Sequence, residues 1–487
     1  MHFVAALDRV DGMRCVLGLH ETVATGAADG YARMAEKPAS TLLHLGPGLA
    51  NGLSNMHNAG RAGSPMVNIV GDHTTFHRNY DAPLTSDIEG AARPFSHWVR
   101  TSPDARMVAA DGAAAIAAAR TPPGRIATLI LPADTAWNEA DGIAPVPAIP
   151  ARKSVDHAIV KGIARLLRRN EPTLLLLGGQ AVRRAGLEWA GRIAAATGVK
   201  IMGQTSSPRM ERGAGCVAVE RVPFPVDLAL GVLKGFQHVV LAGAKAPVGF
   251  FAYPGKPSVL TPPDCTIHTL ARVDEDVTQA LEALTDEVGA RNQKFETARA
   301  ERPARSTGPI TLQSLAQAIG VLLPEGAIVI DEAITTGRGF FPFTRGAPPH
   351  DWLQNMGGSI GLGQPLATGA AVACPNRKVV ALQADGSAMY SLQALWTQAR
   401  EGLDVTTLLF DNRTYAILRH ELTNVGASNP GRKALDMLDI GRPDLDWVSL
   451  ARGMGVPGEK VTTIDEFLDG FARGLAAPGP YLVSVTL

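Results

Sequence analysis

The stretch "LQADGSAMYS" (382–391) follows the apolar run "KVVAL" (378–382) and brings it to an acidic turn. The run is apolar throughout rather than alternating, so it reads as a strand buried on both faces. A helix is expected to open at about Ser387 and run to about 401, where Gly402 stops it. Asp385 then stands in an Ala-Asp-Gly turn between strand and helix. Asp-Gly is a favoured turn pair and Asp or Ser a favoured helix cap, so these residues alone require no further role.

The same strand-then-helix alternation runs through the chain. The first third has "STLLHL" (40–45), "PMVNIVG" (65–71) and "IATLILP" (126–132). The middle has "PTLLLLGG" (172–179), "VKIMGQ" (199–204) and "HVVLAGA" (238–244), and the last "GAIVIDE" (326–332), "KVVAL" and "DVTTLLF" (404–410). Continuous apolar strands separated by helices imply parallel sheets covered on both faces. Two stretches read as linkers: "DGIAPVPAIPARKS" (141–154), with Pro145, Pro147 and Pro150, and the charged, helix-like "ARNQKFETARAERPARSTGP" (290–309). The expected fold is three consecutive doubly wound α/β domains, at 1–150, 151–307 and 308–487.

Bulk properties narrow the function. The chain has 487 residues, and Lys+Arg and Asp+Glu both number 46, which gives no electrostatic case for nucleic acid or an anionic membrane. No apolar run approaches the roughly 20 residues of a membrane span, and "MHFVAALDRVDG" lacks the pattern of a signal peptide. The four cysteines (Cys15, Cys216, Cys265, Cys374) are scattered without a CxxC, as expected for a reducing cytoplasm. A cytoplasmic enzyme is the expectation.

In doubly wound sheets ligands sit beyond the carboxyl ends of the strands, where Asp385 lies. The next strand ends in "DNRTY" (411–415), so Asp385 and Asn412 end neighbouring strands. Two short oxygen-bearing side chains beside a helix start suit a hard cation such as Mg²⁺ bridging a diphosphate.

The segment "ADGSAMYSLQALWTQAREGLDVTTLLFDNRTYAILR" (384–419) resembles the thiamine-diphosphate motif of the acetolactate synthase and benzoylformate decarboxylase group. The resemblance covers nearly the whole chain. It implies Asp385, Asn412 and the Thr414 carbonyl as Mg²⁺ ligands, with Ala384, Gly386 and Ser387 at the cofactor's diphosphate. Ala384 and Asp411 replace a usual glycine and asparagine, and should bend the loop slightly without abolishing binding. "GLHETVATGAADGYARM" (18–34) resembles the stretch whose glutamate, here Glu21, protonates the pyrimidine ring. A carboxyl near an apolar pocket keeps its proton more readily, which suits that role. "QNMGGSIGLGQPLATGAA" (354–371) resembles the segment that grips the cofactor's middle, with the Gly358 carbonyl on the 4′-amino group and Ile360 beneath the bend. "GPGLANGL" (46–53) resembles a further loop beside the cofactor.

The resemblance also implies a homodimer or homotetramer with sites between subunits, and a 2-oxo acid or related acyl donor as substrate. His44 lies where the benzoylformate decarboxylase pattern has an active-site histidine, able to move protons near neutral pH. The second histidine of that pattern has no counterpart in "APVGFFAYPG" (246–255), where Phe251 or Ala252 falls. "DNRTYAILRHEL" (411–422) lacks the Gln and Trp of biosynthetic acetolactate synthases, yet "TSDIEGAARPFSHW" (85–98) resembles their first domain. The expected reaction is decarboxylation of a 2-oxo acid followed by carboligation, with aldehyde release as the alternative. "GGQAVRRAG" (178–186) is too weak a motif to support FAD. A non-catalytic or flavin-binding protein of the same fold is the rival, and retention of Glu21, Asp385 and Asn412 argues against it. The resembled family carries a strand and helix ahead of the stretch matching "MHFVAALD", so an upstream start is also expected.

Overall fold

The computed structural model describes residues 1–427 and 429–487. All nine apolar runs form strands, and they fall into three sheets. The first sheet contains β1 (Ala39–Leu43), β2 (Met66–Asp72), β3 (Trp98–Thr101) and β4 (Ile126–Pro132), parallel and in the order β1-β2-β4-β3. β1 is an edge strand, and its Leu42 is 45% exposed.

The second sheet contains β5 (Thr173–Leu177), β6 (Lys200–Gly203), β8 (His238–Ala242) and β9 (Thr266–Ala271), parallel and in the order β6-β5-β8-β9. Between them in sequence, β7 (Met210–Arg212) leaves this sheet and pairs antiparallel with β11 (His350–Gln354) of the third.

The third sheet adds β10 (Ile328–Glu332), β12 (Val379–Ala384), β13 (Val405–Asp411), β14 (Gly458–Val461) and β15 (Tyr481–Thr486). Its order is β14-β15-β13-β12-β10-β11-β7. Successive side chains of its strands enter opposite cores. Ile328, Ile330, Val379, Ala381 and Val405 pack with Leu366, Ala367 and Ala370 of the Gly363–Ala373 helix. Val329, Val380, Leu382, Leu408 and Phe410 pack with Leu315, Ile319, Phe467 and Phe471 on the other face. That two-sided burial is why the central strands carry continuous apolar runs.

Two local expectations change. The helix expected from about 387 to 401 is broken into Asp385–Ala388 and Gln393–Glu401. Between them the bonds shorten to Tyr390 N–H to Ser387 O and Ser391 N–H to Ala388 O, a tighter turn. It carries Tyr390 against the backbone of Gly361. The 290–309 segment forms no helix. Ala298 instead exchanges backbone bonds with Gly215 and Cys216 (2.9 and 2.8 Å), so neighbouring chain satisfies its polar groups.

The first and third sheets meet through helices. Glu21–Ala35 crosses Gly363–Ala373 so closely that a Cβ at Gly30 or Gly369 would strike the other helix's backbone. Arg33, paired with Asp29 inside this contact, also donates to the Gln354 and Pro208 carbonyls at 2.6 and 3.1 Å.

Candidate active site

β10, β12 and β13 lie side by side, and their carboxyl ends deliver Glu332, Asp385 and Asn412 to one rim. The Asp385 side chain accepts from the backbone N–H of Gly386 (2.8 Å) and of Arg413 (2.6 Å). Arg413 takes a left-handed φ of 55°, which turns its amide toward Asp385. Asn412 Oδ1 accepts from Thr414 N at 3.1 Å, and Thr414 is fixed by its hydroxyl bond to the Leu438 carbonyl. Thus the Asp385 side chain reaches the turn that carries Asn412 and Thr414.

Ala384 keeps extended angles (φ −80°, ψ 145°) and pairs with Phe410, while Asp411 pairs with Thr486. Ala384 therefore needs no glycine conformation, and both positions keep regular strand pairing. Gly386 is required for space: a Cβ there would lie 2.6 Å from the Tyr415 ring.

Asp385 is 1% exposed, and burial together with the adjoining Asp411 pushes its carboxyl up to about 6. Among the described residues, neither carboxylate has a Lys, Arg or His partner within 4 Å. The Asp385 carboxylate, with no such partner within 4 Å, beside the Asn412 amide oxygen and the Thr414 backbone carbonyl, gives a hard-oxygen donor set that fits a divalent ion. No cluster of three His, Cys, Asp or Glu side chains converges among the described residues; this donor set needs only one such ligand.

The 355–363 turn beside this rim is held from several directions. Buried Glu332 accepts from the backbone of Leu362 and Gly363 (3.1 and 2.7 Å), from Gln383 Nε2 (3.1 Å) and from Asn355 Nδ2 (3.2 Å). Asn355 Oδ1 accepts from the Gly357 and Gly358 amides (3.1 and 2.8 Å). Ser387 Oγ accepts from Gly361 N at 3.1 Å and so ties the diphosphate-side turn to this one. Ile360 is therefore flanked by anchored residues. Gly358 has a φ of 80°, and Phe250 of the 246–255 loop lies against it.

Glu21 and His44 come from the first sheet's side. Glu21 opens its helix behind His20, whose Nδ1 caps Thr22 N, and Glu21 Oε2 accepts from Asn51 at 3.1 Å. His44 precedes the Leu45–Ala62 helix, whose first residue has a φ of 53°. A Cβ at Gly48 would lie 3.0 Å from Glu21 Oε1 and 3.2 Å from His44 Cβ, so both residues flank one glycine. Further along that helix, Asn58 exchanges bonds with Ser359 (2.8 and 3.2 Å) and His57 Nε2 donates to the Gly357 carbonyl at 3.1 Å. The "GPGLANGL" helix thus docks directly on the Gly358–Ile360 turn.

Glu332, Asn355, Asn58 and Phe250 escape the sequence reading. Glu332 carried a usable signal, since it ends a strand of the same sheet as Asp385. Asn355 and Phe250, in loops, and Asn58, within the Leu45–Ala62 helix, carried none.

The fold and rim make this an α/β protein with a site suited to a diphosphate cofactor. The chain belongs to the thiamine pyrophosphate enzyme family. Residues 1–91 match the N-terminal TPP-binding domain and residues 337–485 the C-terminal TPP-binding domain of thiamine pyrophosphate enzymes. A Mycobacterium tuberculosis protein provisionally named acetolactate synthase large subunit IlvX is 53% identical, over 100% of this chain and 94% of its own. The benzoylformate decarboxylase of Pseudomonas aeruginosa is 27% identical over 98% of this chain and 92% of its own. A crystal structure from Mycobacterium smegmatis, provisionally assigned as a thiamin diphosphate-dependent enzyme, superposes with a TM-score of 0.83 at 26% identity. It covers 99% of this chain and 94% of that one. No helix of the described residues is long and apolar enough to cross a membrane.

Proposed function

We propose that this chain decarboxylates a 2-oxo acid with thiamine diphosphate and Mg²⁺ and joins the acyl fragment to a second carbonyl, in the manner of an acetolactate synthase. The observation that carries this reading is the turn in which Asp385 meets Asn412 and Thr414 beside the anchored Gly358–Ile360 segment. When bound, thiamine diphosphate supplies an electron sink for breaking the carbon–carbon bond next to a ketone. Asp385, Asn412 and the Thr414 carbonyl would hold Mg²⁺, with Ala384, Gly386 and Ser387 at the diphosphate end. Gly358 and Ile360 would hold the cofactor's middle. Glu21 holds a proton at the pyrimidine ring nitrogen, and His44 moves protons at the substrate.

A second reading, decarboxylation with release of an aldehyde, is favoured by His44 at the end of β1. As in the resembled family, a homodimer or homotetramer with sites between subunits belongs to the proposal, as does a cytoplasmic location. A panel of 2-oxo acids, with carbon dioxide release and product identification in the presence of an aldehyde acceptor, tests it. Acyloin or acetohydroxyacid products support carboligation, and aldehyde alone from every donor rejects it.

A further inference from the structure

The Leu45–Ala62 helix reaches the 355–363 turn with three side chains, and each takes a different backbone carbonyl. His57 Nε2 donates to Gly357 O at 3.1 Å, Asn58 Nδ2 to Ser359 O at 2.8 Å, and Asn55 Nδ2 to Gly361 O at the longer 3.5 Å. The carbonyls between them, on Gly358 and Ile360, accept no hydrogen bond among the described residues. Gly358 is also exposed. Three carbonyls are therefore held toward one helix, and the alternate two are left for a donor from outside the chain.

Asn58 differs from the other two. It is fully buried and grips Ser359 by both backbone groups, its Oδ1 accepting from Ser359 N at 3.2 Å. Its Nδ2 also donates to Asn55 Oδ1 at 2.9 Å, so both amide hydrogens are used and the side chain cannot turn over. The Ser359 N–H and the Gly358 C=O belong to one planar trans peptide unit and point in opposite directions. Holding the one aims the other. The Ser359 carbonyl has a second donor in Asn355 Nδ2 at 2.6 Å, whereas among the described residues the Ser359 amide has Asn58 alone. We infer, resting on the proposed function, that Asn58 is a positioning residue: its Oδ1 sets the direction of the Gly358 carbonyl and makes it an acceptor for the cofactor's middle.

The test uses the full chain. Hydrogen–deuterium exchange of the 355–363 segment is followed by mass spectrometry without cofactor, and the dissociation constant of thiamine diphosphate with Mg²⁺ is measured by calorimetry. Asn58→Ala removes the acceptor, so the segment should exchange faster and the dissociation constant should rise about tenfold. Asn58→Asp keeps an acceptor for the Ser359 amide, while Asn355 still serves the Ser359 carbonyl, and should stay within about threefold of wild type. Asn68→Ala, which removes the buried partner of Thr41 in β2, controls for lost stability and should leave both readings unchanged. An unchanged dissociation constant in Asn58→Ala overturns the positioning role alone, as does an equal rise in Asn68→Ala. So does a tenfold rise in Asn58→Asp, a result that stands even where the alanine variant does not fold. A wild type that binds no thiamine diphosphate overturns the proposed function, and the positioning role falls with it.

Discussion

The side chain of Asp385 accepts a 2.6 Å hydrogen bond from the backbone amide of Arg413, which joins the end of β12 to the turn after β13. This bond ties Asp385 to the turn that carries the other two proposed metal donors. Asp385→Ala should abolish Mg²⁺-dependent binding of thiamine diphosphate while far-UV circular dichroism stays unchanged. Full cofactor affinity by calorimetry in that variant would remove Asp385 from the metal site.

Glu21 acts on the other end of the cofactor in the proposed function. Glu21→Gln keeps the side chain's size and its place beside Asn51 but supplies no carboxyl proton. The variant should bind cofactor with affinity near wild type, while C2 proton exchange slows on the order of 10²-fold or more. An NMR exchange rate equal to wild type would end that role.

His44 shares Gly48 with Glu21 and is exposed at the strand end. His44→Ala should slow turnover of a 2-oxo acid on the order of 10²-fold, with little change in cofactor affinity. With phenylalanine at the loop that carries a second histidine in benzoylformate decarboxylase, ligation products should outweigh free aldehyde. Product ratios from pyruvate and benzoylformate check both points, and unimpaired turnover would leave His44 a structural residue.

Glu332 holds the Gly358–Ile360 turn without facing the proposed ligands. Glu332→Ala leaves the buried Leu362 and Gly363 amides unpaired, and each costs about 1–3 kcal/mol. Urea unfolding should show that loss, and cofactor affinity should fall with it. Glu332→Gln, which still offers an acceptor oxygen, should recover part of both. Stability and affinity equal to wild type in the alanine variant would show that the turn holds its shape without this carboxylate.

His350 is 4% exposed, donates from Nδ1 to the Pro348 carbonyl at 2.7 Å, and is held down to about 3 by burial and by neighbouring Arg212. The unfolded chain therefore takes up this proton first. The contribution is fully present above the ordinary histidine range and is lost as pH falls from about 6.5 toward 3. Between pH 7 and pH 5 that loss is about 2 kcal/mol. His350→Gln should lose correspondingly less in unfolding experiments at the two pH values. Equal losses in both proteins would show that His350 does not drive the acid sensitivity.

The sequence by itself determined the parallel strands of the three sheets and placed Asp385 and Asn412 on adjacent strand ends. Strands buried on both faces carry continuous apolar runs, and the strand–helix alternation orders their ends along one rim; both properties are local. Tertiary structure decided the rest. Glu332 meets Leu362 and Gly363, Asn58 meets Ser359, and Phe250 meets Gly358 across long stretches of chain. Their side chains have no periodic signature, because such contacts depend on how the sheets dock and on which loop reaches the rim. The broken helix at Met389–Leu392 and the extended 290–309 segment follow the same logic. Local propensity favoured a helix in both, but Tyr390 packing on Gly361 and the backbone of Gly215 and Cys216 offered partners that only the folded chain brings within reach.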